Sequence, residues 1–303
     1  MDRLEAMAIF VAAVETGSLS AAGRRLGAPL PTVSRKISDL ESHLKTRLLI
    51  RSTRKLSLTD AGAAYLAAAR RILDQVEEAE RSAAGEYATP QGELVVAAPI
   101  VFGRLHILPL VNAFLQQFPA IRVRLELSDR NTDIIEEHID VAVRIGRLRD
   151  STMVATRVGA VRNVVCASPA YLAAHGTPQT PADLAGLDAV TFNALGGPDA
   201  WLFGKAGGAS PPADPIRARL SVTTAEAALD AAIAGVGVTR VLSYQAAAAV
   251  ADGRLQVILG DFEDNPLDVS LIHSGQGRIP LKTRAFLDMA APRLRQVLAS
   301  LPR

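Results

Sequence analysis

Along the 303-residue chain the apolar positions change rhythm, and each rhythm predicts a different kind of element. In the first stretch the period is helical. Met7, Phe10, Val11 and Val14 stripe one helix, which "TGS" at 16–18 ends. Ser18 or Ser20 can cap a second helix, "SAAGRRL", by accepting the orphan N–H groups of its first turn, and Gly27 stops it. Pro29 keeps Ala28 out of helical geometry, while Pro31 suits a first helical turn, where its missing N–H had no partner anyway. A third helix follows, with Val33, Ile37, Leu40 and Leu44 facing inward. "LLIRSTRKLSL" at 48–58 then predicts a short hairpin.

From Thr59, an expected N-cap with Asp60 in the first turn, no proline intervenes until Pro90. Some 26 helical residues here would span roughly 40 Å. Ala69, Val76 and Ala83 repeat every seven residues, as do Leu66 and Leu73, which predicts a seam for pairing with another copy. The competing reading is a helix packed on its own protomer. "ATPQG" at 88–92 marks a boundary.

Beyond it, strand and helix patterns alternate. "ELVVAAP", "IRVRLEL" and "DVAVRIG" predict strands, separated by a helix from about Gly103 to Phe118 and a short helix "DIIEEHI". This βαβαβ order predicts a parallel sheet between helices. Further strands are expected at "VRNVVCASP", "AVTFNA", "RARLSVTT", "VTRVLSY", "LQVILGDF" and "DVSLIHS". Helices are expected at "AYLAAHG", "AEAALDAAIAGVG" and "LKTRAFLDMAAPRLRQVLAS". So many strands exceed one sheet. The expectation is two α/β lobes crossed by two strands, near 155–168 and 262–273, with the last helix returning to the first lobe. The expected domains are 1–58, a linker helix and hinge at 59–91, and a body at 92–303. Within the body, lobe I covers about 92–160 and 269–303 and lobe II about 161–268.

The net charge of +2 says little, but its distribution says more. Residues 1–60 carry ten Lys and Arg against six Asp and Glu, a surplus of +4, and the other 243 residues carry −2. A basic head on a near-neutral body suggests a polyanion partner, although a solvated charged face would look the same. The third helix sharpens the choice. Its outward side holds Pro31, Thr32, Arg35, Ser38 and Ser42, flanked by Ser34 and Lys36. Two short helices joined by a tight turn, the second offering hydroxyls and cations, make a helix-turn-helix. Such a helix enters the major groove, where Arg pairs with guanine O6 and N7. The hairpin tip, Arg51, Ser52, Thr53, Arg54 and Lys55, offers phosphate contacts and acts as a wing.

"FVAAVETGSLSAAGRRLG", "PTVSRKISDLESHLKTRLLIRSTRKLSLTDAG" and "CASPAYLAAHG" together closely resemble the LysR-type transcriptional regulators over nearly the whole chain. The resemblance implies a winged helix-turn-helix that binds double-stranded promoter DNA. It also implies a dimerising linker helix and a C-terminal domain like the two-lobed periplasmic binding proteins, which senses a small molecule. The fold class is then α/β behind an all-α-type winged head. A homodimer, and by family habit a homotetramer, is expected, with RNA polymerase as a further candidate partner. The family usually has Ser-Gln before the Pro-Thr-Val-Ser run, where this chain has Pro29 and Leu30. Leucine neither donates nor accepts a hydrogen bond. Leu30 either touches a thymine methyl or packs in the turn, and direct readout shifts to Thr32, Ser34 and Arg35. Ser18, Ser20, Pro31 and Lys36 complete the expected DNA face.

Open α/β sheets bind ligands beyond the carboxyl ends of their strands. That rule selects Ala98, Pro99, Ile100 and Val101, then Arg144, Ile145 and Gly146, then Phe192 and Asn193, and finally Thr223 and Thr224. "TTAE" fits a capping box with Thr223 as N-cap and Glu226 at its third position; the free N–H groups there either serve the cap alone or receive an anionic effector. The family often has a hydroxyl at Ala98 or Pro99, so this first loop is more apolar.

Little favours an enzyme. The five histidines have no metal-ligand spacing, and no metal or other cofactor is expected. Cys166 lies in an apolar strand and suits core packing. "GVGVTR" at 235–240 lacks the third glycine of a dinucleotide fingerprint and follows a helix instead of opening one. Trp201 either stacks on an effector or anchors its loop. A solute-binding module is the other alternative, opposed by the basic head and by an N-terminus without signal-peptide layout. With one cysteine and no long apolar run, a cytoplasmic location without membrane contact is expected.

Overall fold

Side-chain caps and left-handed glycines delimit the head's helices. In the computed structural model, α1 (Arg3–Thr16) begins where the Asp2 carboxylate accepts from the N–H of Leu4 at 3.0 Å and of Glu5 at 3.2 Å. Ser18 caps α2 (Leu19–Leu26) by accepting from Ala21 N–H, so Ser20 lies inside the helix, and Gly27 closes it in the left-handed region. Pro29 stands at the N-cap of α3 (Leu30–Leu44) in extended geometry, and its carbonyl accepts from Thr32 and Val33 N–H at 2.9 and 3.1 Å. Gly23 has no room for a side chain, since a Cβ there would stand 2.6 Å from the Ala28 carbonyl oxygen. That close approach keeps the turn between α2 and α3 tight. Val33, Ile37 and Leu40 are buried with Phe10, Ala13, Ala22 and Leu48, as the stripe predicts.

The structure describes residues 2–51, 56–83, 89–129, 139–146, 148, 153–192, 201, 216–263, 265–274 and 279–300. The expected helix "DIIEEHI" and the loop-rich "WLFGKAGGASPPADP" fall largely outside them.

The wing is the antiparallel pair β1 (Leu49–Arg51) and β2 (Leu56–Leu58), with Leu49 opposite Leu58. The Glu41 carboxylate of α3 accepts from Leu48 and Leu49 N–H at 2.8 and 3.0 Å and pins the hairpin to the helix. Thr59 caps α4 (Asp60–Ala83) by accepting from Gly62 N–H at 2.9 Å. Its 24 residues rise about 36 Å. The chain divides into two compact units, 1–92 and 93–303, so α4 belongs with the head.

The second unit holds two five-stranded sheets. The first runs β4 (Ile121–Leu127), β3 (Gly92–Ala98), β5 (Val141–Ile145), β12 (Leu267–Ser274), β6 (Met153–Val161). The second runs β11 (Gln256–Ile258), β7 (Asn163–Ala167), β10 (Val238–Leu242), β8 (Asp188–Phe192), β9 (Arg217–Val222). The pairing of β3 with β5 is parallel, as the strand–helix alternation predicts, but neither sheet is wholly parallel. β3 and β5 are parallel, as are β8, β9 and β10, but β12 is antiparallel to β5 and β6, and β7 to β10 and β11. The antiparallel members are the strands beside the crossings, where the chain leaves one sheet at Arg162 and returns between β11 and β12.

The helices differ in places from the sequence reading. The first begins earlier, as α5 (Ile100–Phe102), a π turn at Gly103–Ile107, and α6 (Leu108–Gln117). α7 (Pro169–His175) and α8 (Ala225–Ile233) follow expectation in place. "VTRVLSY" stops being a strand at Leu242, where α9 (Ser243–Ala251) begins; Gln245 accepts from Leu242 N–H at 2.8 Å and closes that start. "LQVILGDF" keeps only three strand residues before Leu259 turns left-handed at φ 57°. α10 (Leu281–Ala299) packs on β6 and α6, with the Phe286 and Phe114 rings 5.3 Å apart edge to face.

Candidate nucleic-acid interface and effector face

The first turn of α3 stands clear of the core. Leu30 is 46% exposed, Pro31 and Arg35 are exposed, and Thr32 and Ser34 are half-buried. Arg35 has no ion pair among the described residues. Lys36 does not share this face: its ammonium pairs with Glu5 of α1. The expected contact of Lys36 with DNA would have to compete with this pair. Ser18 is half-buried and its oxygen is engaged as the α2 cap; Ser20 is also half-buried. Arg51 ends β1; its side chain, with Ser52, Thr53, Arg54 and Lys55, lies outside the described residues.

Two further cations of the head are spoken for. Glu15 of α1 receives Arg25 at 2.8 Å and Arg70 of α4 at 3.1 Å. Burial alone would raise the Glu15 carboxyl, but the two guanidinium bonds and charges outweigh it and hold the group below its ordinary range.

The heptad assignment on α4 needs correction. Ala69 is fully buried, Leu66 packs on the head's core, and Tyr65 meets Phe10 with ring centroids 5.7 Å apart. Ala69 is therefore used inside the protomer and is not free to pair with another copy, and Leu66 is partly committed to the head's core. Leu73 and Val76 are half-buried. The exposed apolar line is a different one, Ala64, Ala68, Ile72 and Ala79, with Ile72 at 38% exposure and Ala68 half-buried. The pattern alone could have shown it, since these positions also follow helical spacing.

In the second unit, the selected strand ends gather in two groups. Parallel pairing of Val96 with Val141 and Ala97 with Ala142 sets the carboxyl ends of β3 and β5 side by side. Ala98 and Val101 are buried there, Pro99 and Ile100 half-buried, and Arg144, Ile145 and Gly146 half-buried. Phe192 opposite Val222 does the same for β8 and β9; Asn193 lies outside the described residues. Thr224, not Thr223, caps α8, accepting from Ala227 N–H at 3.3 Å. Thr223 is exposed, and the expected capping box is absent because Glu226 falls one position too early.

The lobes meet through residues that the sequence reading missed. Arg104 of the π turn pairs with Glu226 of α8 at 2.7 Å. Phe102 meets Tyr244 of α9 edge to face at 5.4 Å, and His106 stands 4.8 Å from Phe102. Ile100 N–H donates to Asp129 Oδ1 at 3.0 Å, so the chain's own carboxylate occupies the start of α5. Asp129 Oδ2 and His106 Nε2 are buried without a hydrogen-bond partner among the described residues. Burial pushes the Asp129 carboxyl up; the Ile100 bond opposes this and the Glu226 charge adds to it. Burial draws His106 down and raises the Tyr244 phenol. The strand-end rule would have found Asp129 and Tyr244 had it been applied to β4 and β10.

Comparison with known proteins gives this arrangement a context. A family model described as the bacterial regulatory helix-turn-helix protein, lysR family, matches residues 4–63, and the LysR substrate binding domain matches residues 88–295. The chain belongs to the LysR family of transcriptional regulators. It is 34% identical over 294 residues to the HTH-type transcriptional regulator CrgA of Neisseria meningitidis serogroup C, covering 96% of each chain. An HTH-type transcriptional repressor of Pseudomonas aeruginosa is 33% identical over 299 residues, covering 95% of this chain and 91% of the relative. Among solved structures, the Vibrio cholerae virulence activator AphB, at 27% identity, superposes with a TM-score of 0.60 over 95% of this chain and 98% of that one.

As a LysR-family member this protein is a DNA-binding regulator with an effector-binding domain, not an enzyme, and promoter DNA is its partner. Regulators of the family are oligomeric. No helix among the described residues is long and apolar enough to cross a membrane, and those residues contain no cluster of three or more His, Cys, Asp or Glu placed to hold a metal ion.

Proposed function

We propose that this regulator acts in the cytoplasm as a homodimer, assembled further into a tetramer, whose paired α3 helices read adjacent major-groove half-sites. The wing residues Arg51, Ser52, Thr53, Arg54 and Lys55 hold phosphate. The exposed line Ala64, Ala68 and Ile72 on α4, flanked by Leu73 and Val76, supports the pairing. Effector binding between the lobes shifts the spacing or bend of the bound DNA and thereby its engagement with RNA polymerase.

The observation that carries the effector reading is the Arg104–Glu226 pair and the Phe102–Tyr244 contact, which bind one lobe to the other beside the selected strand ends. A molecule entering there must displace or bridge them. Asp129 also bears on effector chemistry. With Ile100 N–H already satisfied and Asp129 Oδ2 left over, the face suits a partly apolar molecule that brings a hydrogen-bond donor, not a carboxylate. Thermal melting of the full chain with matched aromatic amines and aromatic carboxylates tests this. Stabilisation by amines alone is expected; stabilisation by carboxylates alone contradicts it. A DNA footprint unchanged by an effector that does bind would contradict the coupling.

A further inference from the structure

We propose that Leu30 reads the C5-methyl group of a thymine in each half-site, resting on the assignment of α3 as the recognition helix. Leu30 is the first residue of α3, where a recognition helix meets base edges. It does not pack in the turn, being 46% exposed, whereas Val33 and Ile37 are fully buried and fill the core side of the same helix. Around it the surface is apolar. Leu26 is 42% exposed, and Pro29 and Pro31 are exposed on either side. Leu30 and Ser34 stand one turn apart on α3, with Arg35 beside them, so an apolar spot adjoins groups able to hold bases and phosphate.

A leucine in the major groove has few options. It carries no donor or acceptor, so it reads none of the polar base edges. The thymine methyl is the one apolar group that a base pair presents there. Burying it against Leu30 removes apolar surface from water on both sides. A cytosine at that position would set a polar amino group against the leucine and leave it unpaired. The leucine therefore selects for thymine by attraction and against cytosine by desolvation.

The test uses the full chain and a site selected from random duplexes. Each thymine of that site is replaced in turn by deoxyuridine, which removes only the methyl, and affinity is measured at fixed salt. One position per half-site should lose about fourfold for its missing methyl. Leu30→Ala should bind the two DNAs alike, Leu30→Met should keep part of the difference, and Leu30→Gln should shift the selected base toward adenine. Because Leu30 lies outside the core, Leu30→Ala should melt as the wild type does, which separates lost readout from lost folding. Indifference of the wild type to every deoxyuridine, or the same loss in Leu30→Ala, would overturn the proposal. A wild type that selects no sequence at all would instead overturn the assignment of α3, and this inference with it.

Discussion

Among the described residues of the head, Lys36, Arg25 and Arg70 are held in intramolecular ion pairs. Arg35 is exposed, while Lys36, its chain neighbour, is held by Glu5. Arg35→Ala should therefore weaken specific binding more than non-specific binding, and Lys36→Ala should change discrimination little. Arg54→Ala, at the wing, should weaken both kinds of binding alike. Competition titrations with specific and unrelated DNA distinguish the three; equal loss of discrimination in Arg35→Ala and Lys36→Ala would contradict the division. Glu15 gives a pH test. Its folded-state pKa is depressed, so its contribution to stability is fully present above the ordinary 4.5 and is lost as pH falls through the lowered value. The melting difference between wild type and Glu15→Gln should be largest at neutral pH and vanish in acid. At this scale the sequence shows which side chains are outward but not which are paired, because Lys36 meets Glu5 across 31 residues of chain.

Elements were legible where a local signal closes them. Ser18 and Gly27 bracket α2, and the spacing of Val33, Ile37 and Leu40 gives the buried side of α3. α9 was missed because "VTRVL" runs into "SYQAAAAVA" with no glycine or proline between, so strand and helix share one apolar stretch. For α4 the period was legible but its facing was not. A heptad pattern cannot tell a self-pairing seam from a seat on the protomer's own core, and Gly62 shows that the seat is tight: a side chain there would meet the Leu48 carbonyl. On the proposed pairing the exposed line would carry the assembly. Ile72→Glu should split the oligomer in sedimentation without lowering the head's stability. Leu66→Ala should instead destabilise the fold by roughly 2 kcal/mol while the protein still assembles. The reverse pattern would restore the Leu66 and Ala69 seam.

At the scale of the whole molecule, two ion pairs among the described residues tie the lobes or their crossings and differ in consequence. Arg104 and Glu226 are 54% and 40% exposed, so Arg104→Ala should cost under about 1 kcal/mol of stability. Arg162, at one crossing, pairs with Glu263 beside the other, and the Glu263 side chain is only 10% exposed. Arg162 also exchanges backbone contacts with Ser243, whose N–H donates to the Arg162 carbonyl at 2.7 Å. Arg162→Ala strands a buried carboxylate and should cost about 1–3 kcal/mol, read by denaturant unfolding. Two lobes and two crossings were legible from strand count. The mixed direction of the sheets was not, since alternation of strands and helices does not reveal which strand returns.

The most direct test of the central claim, a sequence-reading regulator, is anisotropy titration of the full-length protein against the intergenic DNA beside its own gene. It is run at several salt concentrations with unrelated DNA as competitor, because an affinity without its salt has no meaning. Selective binding that persists as salt rises, while binding to the competitor falls away, is the predicted result. No binding to either DNA even at low salt would contradict it.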